Sequence, residues 1–369
     1  MRVIITGGGT GGHTSPGLAI LEELEARDPD LRFHWLGKSN SYESRLCARR
    51  HIPFRSIPVA PWPRKNKLKR AAVLVQLALG AIRSWMYLRK LRPHAVIGVG
   101  GYVSLPLMWT AQRMGLPTYV HEQNKRMGMA NRVLAPRATR VFLSYPGTHG
   151  DFPGERALLV GNPVRAGFFT PPPKHEARHS LAFAEDGPLV FFCGGSQGAA
   201  SMNEAVGGAL TRLIEHGIHV LWMTGPAHVE SCRNRARAYP DSQVQVVPFV
   251  ENMVEACAAA DLLVMRAGAS TIAEIAALGQ AALLVPYPHA TDGHQLENAQ
   301  ALAAAGAALV LEEVALNSSS LAAAIDGLLG NPDRLRAMGA AARALAHPNA
   351  AGQIVEQLLM DTFGRASSA

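Results

Sequence analysis

The feature that most constrains this chain is a strand-like apolar run that breaks into a glycine-rich turn, and it occurs twice. Val3-Ile4-Ile5-Thr6 runs into Gly7-Gly8-Gly9-Thr10-Gly11-Gly12-His13, and Leu189-Val190-Phe191-Phe192-Cys193 runs into Gly194-Gly195-Ser196-Gln197-Gly198-Ala199. A helix-like segment follows each. Glycine lets the backbone come close to a phosphate, and the helix behind it aims N–H groups at the anion. Two such turns half a chain apart predict two nucleotide-fold halves, and 369 residues exceed what a single core comfortably holds.

The remaining pattern agrees. Strand-like runs fall at 3–6, 33–36, 95–99, 118–121, 140–143, 157–160, 189–193, 219–224, 244–249, 262–265, 282–285 and 308–311, many of them continuous apolar runs bounded by Gly or Pro. Continuous runs of this kind read as strands covered on both faces. Helical stretches such as 16–26, 199–216, 271–277 and 295–305 lie between them. The alternation predicts α/β architecture with doubly wound parallel sheets. The proline-rich stretch 168–174 marks a boundary, giving domains at 1–165 and 166–345 and a C-terminal helical tail, 346–369, that packs back on the first domain.

Charge narrows the partners. The chain has 36 basic and 28 acidic residues, net +8, which suits an anionic partner. No run alternates aromatic and basic residues, so stacking on single-stranded nucleic acid has no support. Cys47, Cys193, Cys232 and Cys257 are far apart and form no CxxC pair, as expected of reduced thiols. The first strand begins at once, without the basic and apolar regions of a secretory signal. Residues 71–88 are apolar enough to merit a membrane test, but Gln76, Gly80 and Arg83 interrupt them. Basic clusters at 64–70 and 89–92 flank this segment. Two readings stay open: a helix resting on an anionic bilayer, and a core helix with solvated ends.

Gly7, Gly9 and Gly12 satisfy the dinucleotide fingerprint GxGxxG. That reading also needs an acid after the second strand to hold the ribose. The chain supplies Gly37-Lys38-Ser39 there, which counts against NAD or FAD. His13 falls at the start of the first helix, where the dipole favours a neutral imidazole able to act as a base; a surface capping role is the alternative. Gly100-Gly101-Tyr102 forms another strand-to-helix turn, and His121-Glu122-Gln123-Asn124 ends a further strand, on the side where α/β proteins bind ligands. Arg165, in Gly161-Asn162-Pro163-Val164-Arg165, has a planar fork suited to phosphate. In Arg266-Ala267-Gly268-Ala269-Ser270-Thr271-Ile272-Ala273-Glu274, the Glu suits either a helix cap or a ribose diol. His289, Asp292 and His294 match no standard zinc spacing, and Asp28-Pro29-Asp30 lies in a helix-to-strand loop away from the ligand side.

Taken together, GGGTGGH, GGYVS, HEQN, GNPVR, GGSQGA, RAGASTIAE and DGHQLENA resemble the lipid I N-acetylglucosaminyltransferases of bacterial cell-wall synthesis, the MurG family, over essentially the whole chain. The resemblance implies a GT-B fold, with two Rossmann-like domains facing across a cleft. It implies inverting transfer of GlcNAc from UDP-GlcNAc to the C4 hydroxyl of MurNAc in the lipid I acceptor, without a metal or other cofactor. It places UDP-GlcNAc against Thr10, Gly11, Gly12, Asn124, Arg165, Ser196, Val250, Ala269, Ser270, Thr271, Ile272, Ala273, Glu274 and Gln295. Glu274 would hold the ribose. His13 is the candidate base, with Glu122 as the alternative. A lipid-linked acceptor further implies peripheral attachment to the cytoplasmic face of an anionic membrane through 64–92, and no nucleic-acid partner.

Overall fold

The structure, a computed structural model, describes residues 1–9, 11–63, 67–290 and 293–364, with residues 67–69 described by their helix alone. It divides into two compact units, Met1–Arg165 with His347–Ala369, and Ala166–Ala346.

The first unit is built on seven parallel strands: β1 (Arg2–Thr6), β2 (Arg32–Gly37), β3 (Phe54–Ser56), β4 (Ala95–Gly98), β5 (Thr118–Glu122), β6 (Arg140–Leu143) and β7 (Ala157–Leu159). Their order is β3-β2-β1-β4-β5-β6-β7. Successive side chains of a strand point to opposite faces, so Val3 and Ile5 join one core and Ile4 the other. The first core is covered by α1 (Gly11–Arg27) and by the C-terminal helix Ala350–Phe363, through Leu18, Leu24, Ile354 and Leu358. Arg140 also holds that helix by a two-pronged bond to Asp361, both at 2.9 Å. Opposite lie α3 (Lys67–Leu91) and α4 (Leu105–Arg113), with Leu88, Leu107 and Met108 buried. Full burial of each such side chain contributes about 2 kcal/mol.

The second unit repeats the plan with six parallel strands: β8 (Leu189–Cys193), β9 (His219–Met223), β10 (Val244–Val247), β11 (Leu262–Met265), β12 (Ala282–Leu284) and β13 (Ala308–Val310). Their order is β10-β9-β8-β11-β12-β13. Both units are doubly wound α/β, the pair of domains that a GT-B fold comprises.

Three details depart from the sequence expectation. β3 is absent from the expected strands because it is three residues long and forms the sheet edge, with Phe54 and Ser56 half-buried and Arg55 exposed. α1 begins at Gly11, five residues before the expected start, and carries Pro16 inside it. The helix Ala269–Leu278 starts before the expected 271, so Glu274 lies in its second turn, and Gly268 is the N-cap. The capping role for Glu274 is therefore excluded, since a cap reaches only the first turn.

Candidate functional site

In the first unit the ligand-side loops gather where β1, β4 and β5 end. β1 runs into Gly7, Gly8 and Gly9, all at positive φ. At Gly8 this is obligatory: φ is +155°, and a Cβ would sit 2.4 Å from the Glu43 carboxyl carbon. Glu43 lies in the first turn of α2 (Tyr42–Arg49), which a Ser41/Ser44 capping box fixes. Its fully buried carboxylate accepts the Gly9 N–H at 3.0 Å and the Lys38 N–H at 3.2 Å. Tyr42 comes up beside Gly11. The acid that a dinucleotide site would place on a ribose is replaced by one that grips the glycine turn. Nothing in the motifs pointed to Glu43, because its partners are backbone groups.

His13 occupies the first turn of α1, with its ring against the Gly100-Gly101 turn. A Cβ on Gly100 would lie 3.3 Å from Nδ1, and one on Gly101 would lie 3.1 Å from Cδ2. Behind this turn, Gln123 donates to the Val99 carbonyl at 2.7 Å, and its amide nitrogen is 3.2 Å from His121 Nδ1. With that amide donating to Nδ1, His121 Nε2 carries the proton toward the Gly161 carbonyl, 3.4 Å away. Burial pushes the His121 pKa down to about 4; the Gly161 bond opposes this and the nearby His13 adds to it. His121 is thus a neutral support, not a proton shuttle at neutral pH.

Glu122 is equally buried, and its oxygens are committed. They accept the Asn124 N–H (2.9 Å), the Asn124 amide (3.2 Å), the Gly128 N–H (2.9 Å) and the Asn131 amide (2.9 Å). This carboxylate folds the 122–131 loop and presents Asn124. Asn162, which the motif reading passed over, is 6% exposed, with neither amide atom hydrogen-bonded among the described residues. Arg165 ends the unit's first stretch of chain. Thr10 lies outside the described residues, as do Arg64, Lys65 and Asn66 of the basic run and Asp292.

In the second unit β8 runs into the second glycine turn. Gly198 has φ +79°, and a Cβ there would lie 1.9 Å from the Thr224 carbonyl oxygen. The helix Ala200–Glu215 then starts with no side-chain cap, which leaves its first N–H groups for a ligand. Asn203 locks the turn, donating to Thr224 O at 2.9 Å and accepting from the Trp222 indole at 3.0 Å. The helix Ala269–Leu278 also starts without a side-chain cap, and Asn298 pins the preceding Ala267 carbonyl at 3.1 Å. Ser270 and Ile272 are buried, while Thr271, Ala273 and Glu274 are half-buried. Burial pushes the Cys193 thiol up to about 11, with the negative charge of Glu274 adding to the effect, so Glu274 sits near the end of β8. Gln295 accepts the Tyr287 N–H at 2.9 Å, and Val250 is buried over Met223. Arg266 pairs with Glu313 at 2.5 Å and donates to Val285 O, Pro286 O and Ser201 Oγ. It ties the loops together from behind.

Thus Ser196, Val250, Ala269 to Glu274 and Gln295 belong to the second unit, and Gly11, Gly12, His13, Glu122, Asn124 and Arg165 to the first. Among the described residues no three His, Cys, Asp or Glu side chains are grouped to hold a metal. Asp28 of the Asp-Pro-Asp sequence binds the Met1 ammonium at 2.6 Å and the Asp30 N–H at 3.1 Å, a local turn. None of the four cysteines forms a disulfide, and all four are buried.

Comparison with known proteins follows this division. The N-terminal domain of glycosyltransferase family 28 matches residues 3–143, and its C-terminal domain matches 189–354. The UDP-N-acetylglucosamine–N-acetylmuramyl-(pentapeptide) pyrophosphoryl-undecaprenol N-acetylglucosamine transferase of an Exiguobacterium species is 38% identical, over 96% of this chain and 98% of its own length. The crystal structure of Acinetobacter baumannii MurG superposes with a TM-score of 0.72 at 31% identity, covering 97% of this chain and 99% of that one. A UDP-GlcNAc 2-epimerase from Neisseria meningitidis, solved bound to UDP-GlcNAc, superposes at 0.67 over 97% of this chain and all of that one; its 12% identity shows shared fold alone. The chain belongs to glycosyltransferase family 28, in the family of the N-acetylmuramyl-(pentapeptide) pyrophosphoryl-undecaprenol N-acetylglucosamine transferases.

Proposed function

We propose that this chain transfers GlcNAc from UDP-GlcNAc to the C4 hydroxyl of MurNAc in the pentapeptide-bearing, undecaprenyl-diphosphate-linked acceptor, with inversion and release of UDP. The observation that carries this reading is the doubled glycine turn, one copy bearing an imidazole and the other followed by an uncapped helix near a half-buried Glu. His13 removes the hydroxyl proton as the oxygen attacks the anomeric carbon. The bond from that carbon to the β-phosphate oxygen breaks, and its electrons leave with UDP. Ser196, Arg165 and the N-termini of the helices Ala200–Glu215 and Ala269–Leu278 meet the growing negative charge. Glu274 accepts hydrogen bonds from the ribose diol. Gly11, Gly12, Asn124, Val250 and Gln295 complete the donor contacts, with Thr10. These groups supply the charge that a cation would otherwise supply, so the reaction needs no metal.

The same reading puts the protein on the cytoplasmic face of an anionic membrane. By length and composition alone, Arg70–Leu91 suffices to cross a bilayer. However, Val73, Ser84 and Leu88 are buried against the first unit, which supports a helix lying on the surface. Val75, Leu79, Ile82 and Met86 recur at helical spacing and are all more than half exposed. Trp62 and Trp85 accompany them, under the guanidinium groups of Arg70 and Arg89 at 6.0 and 5.0 Å. This pairing of aromatic and cation suits the headgroup level of a bilayer.

Incubation with radiolabelled UDP-GlcNAc and an acceptor analogue tests the reading. Label in the lipid fraction, undiminished by EDTA, is expected. Absence of label would overturn it, and formation of UDP-ManNAc without acceptor would favour an epimerase. Replacing Lys65, Lys67, Lys69 and Arg70 with Ser should weaken binding to anionic vesicles; unchanged binding would remove that role from the basic run.

A further inference from the structure

The loop after β2 has two sides. Glu43 and Tyr42 face the glycine turn, while Ser39, Asn40 and Ser44 line a separate cavity of about 460 Å³. Arg55 of β3 and Arg83 and Tyr87 of α3 form the rest of its polar wall. No acidic side chain lines it, and neither arginine has a carboxylate partner among the described residues. Arg83 is steered by its bond to Tyr87 Oη at 3.2 Å, with its guanidinium 5.8 Å from the ring centre. Ser56, the last residue of β3, places the cavity at the carboxyl edge of the sheet, the same edge as His13 and the glycine turn. A second cavity of about 650 Å³, lined by Arg2, Arg32 and Arg92, lies at the amino end of the strands, away from the reaction.

Resting on the function proposed above, we infer that this cavity binds the peptide branch of the acceptor through its carboxylates. Two guanidinium forks without carboxylate partners, flanked by hydroxyl and amide groups, match a carboxylate-bearing peptide. A pentapeptide extends to about 17 Å, so its carboxylates can bind well away from the sugar that carries it. The glycine turn and the α1 N-terminus are already assigned to the reaction centre, Gly11 and Gly12 to the donor and His13 to the acceptor hydroxyl. Arg83 and Tyr87 lie on the flank of α3 that shares the cavity with β3, where Arg83 borders the Val75–Leu79–Ile82–Met86 stripe one turn beyond Leu79. The cavity's place at the carboxyl edge of the sheet, the edge that carries His13, favours the acceptor's peptide over a lipid headgroup.

The test compares two acceptors, one carrying the pentapeptide and one lacking it. In an Arg55→Gln/Arg83→Gln variant the ratio of kcat/KM between pentapeptide and peptide-free acceptors should fall about tenfold, chiefly through KM. Wild-type protein given an acceptor with amidated peptide carboxylates should show the same fall without any mutation. Turnover of the peptide-free acceptor reports that the variant is folded. Equal losses with both acceptors, or an unchanged ratio, would overturn the peptide site. A loss confined to anionic-vesicle binding would assign the arginines to headgroups and overturn it as well. If wild-type protein transfers label to neither acceptor, the function itself has failed, a result separate from these.

Discussion

Glu43 accepts the backbone N–H of Gly9 at 3.0 Å across 34 residues of chain, and its other oxygen accepts the N–H of Lys38. One buried carboxylate therefore sets the shape of the first glycine turn and joins it to the end of β2. Glu43→Gln keeps the volume but turns one acceptor into a donor facing an N–H. It should destabilise the fold by about 2 kcal/mol and lower kcat/KM for the acceptor more than for UDP-GlcNAc. Urea unfolding and steady-state kinetics check this. A variant with wild-type stability would show that the turn holds its own shape.

The residues that carry the fold were easier to read than those that carry the site. Strands such as β4 and β8 are buried on both faces, so their sequences are unbroken apolar runs. β3 is short, lies at the edge and has no fully buried side chain, and it leaves no such run. His13, Glu122 and Glu274 were visible because they sit inside glycine-rich or polar clusters. Glu43, Asn203 and Asn298 bind backbone groups far away in sequence, and backbone partners have no residue type to recognise. The difference between Glu122 and His13 also appears only in three dimensions, since four N–H donors already surround Glu122.

Two glycines of the second unit separate backbone strain from lack of space. Gly217 has φ +71° with nothing near a prospective Cβ, whereas Gly198, at φ +79°, has Thr224 O at 1.9 Å. Gly217→Ala should cost about 1 kcal/mol, the penalty of the left-handed conformation alone. Gly198→Ala must also move the backbone and should cost about 3 kcal/mol or more. It should weaken UDP-GlcNAc binding too. Denaturant midpoints compare the pair, and equal costs would refute the steric argument.

His121 makes stability depend on pH. Burial lowers its folded pKa to about 4, whereas an unfolded His stays near 6.5. Between those values the unfolded chain holds the extra proton, so stability is full above about pH 6.5 and falls as pH drops toward about 4. The loss at the acid end is on the order of 3 kcal/mol. His121→Gln should flatten the curve over this window, whatever it does to stability at pH 7. Urea titrations at pH 7, 5.5 and 4.5 read the slope directly, and an unchanged slope would mean that other groups control it.

His13 and Glu122 should separate under substitution. His13 lies in the turn with its ring against Gly100 and Gly101, while Glu122 holds a loop together. His13→Gln should lower kcat by about 10² to 10⁴, the contribution of a positioned base, with UDP binding and melting temperature close to wild type. Glu122→Gln puts an amide donor among four N–H groups and should lower stability by about 1–3 kcal/mol. The activity that remains should follow the folded fraction. Single-turnover kinetics with saturating donor, read beside thermal melts, distinguishes the two. A stable Glu122→Gln protein with no turnover, together with an active His13→Gln protein, would reverse the assignment of the base.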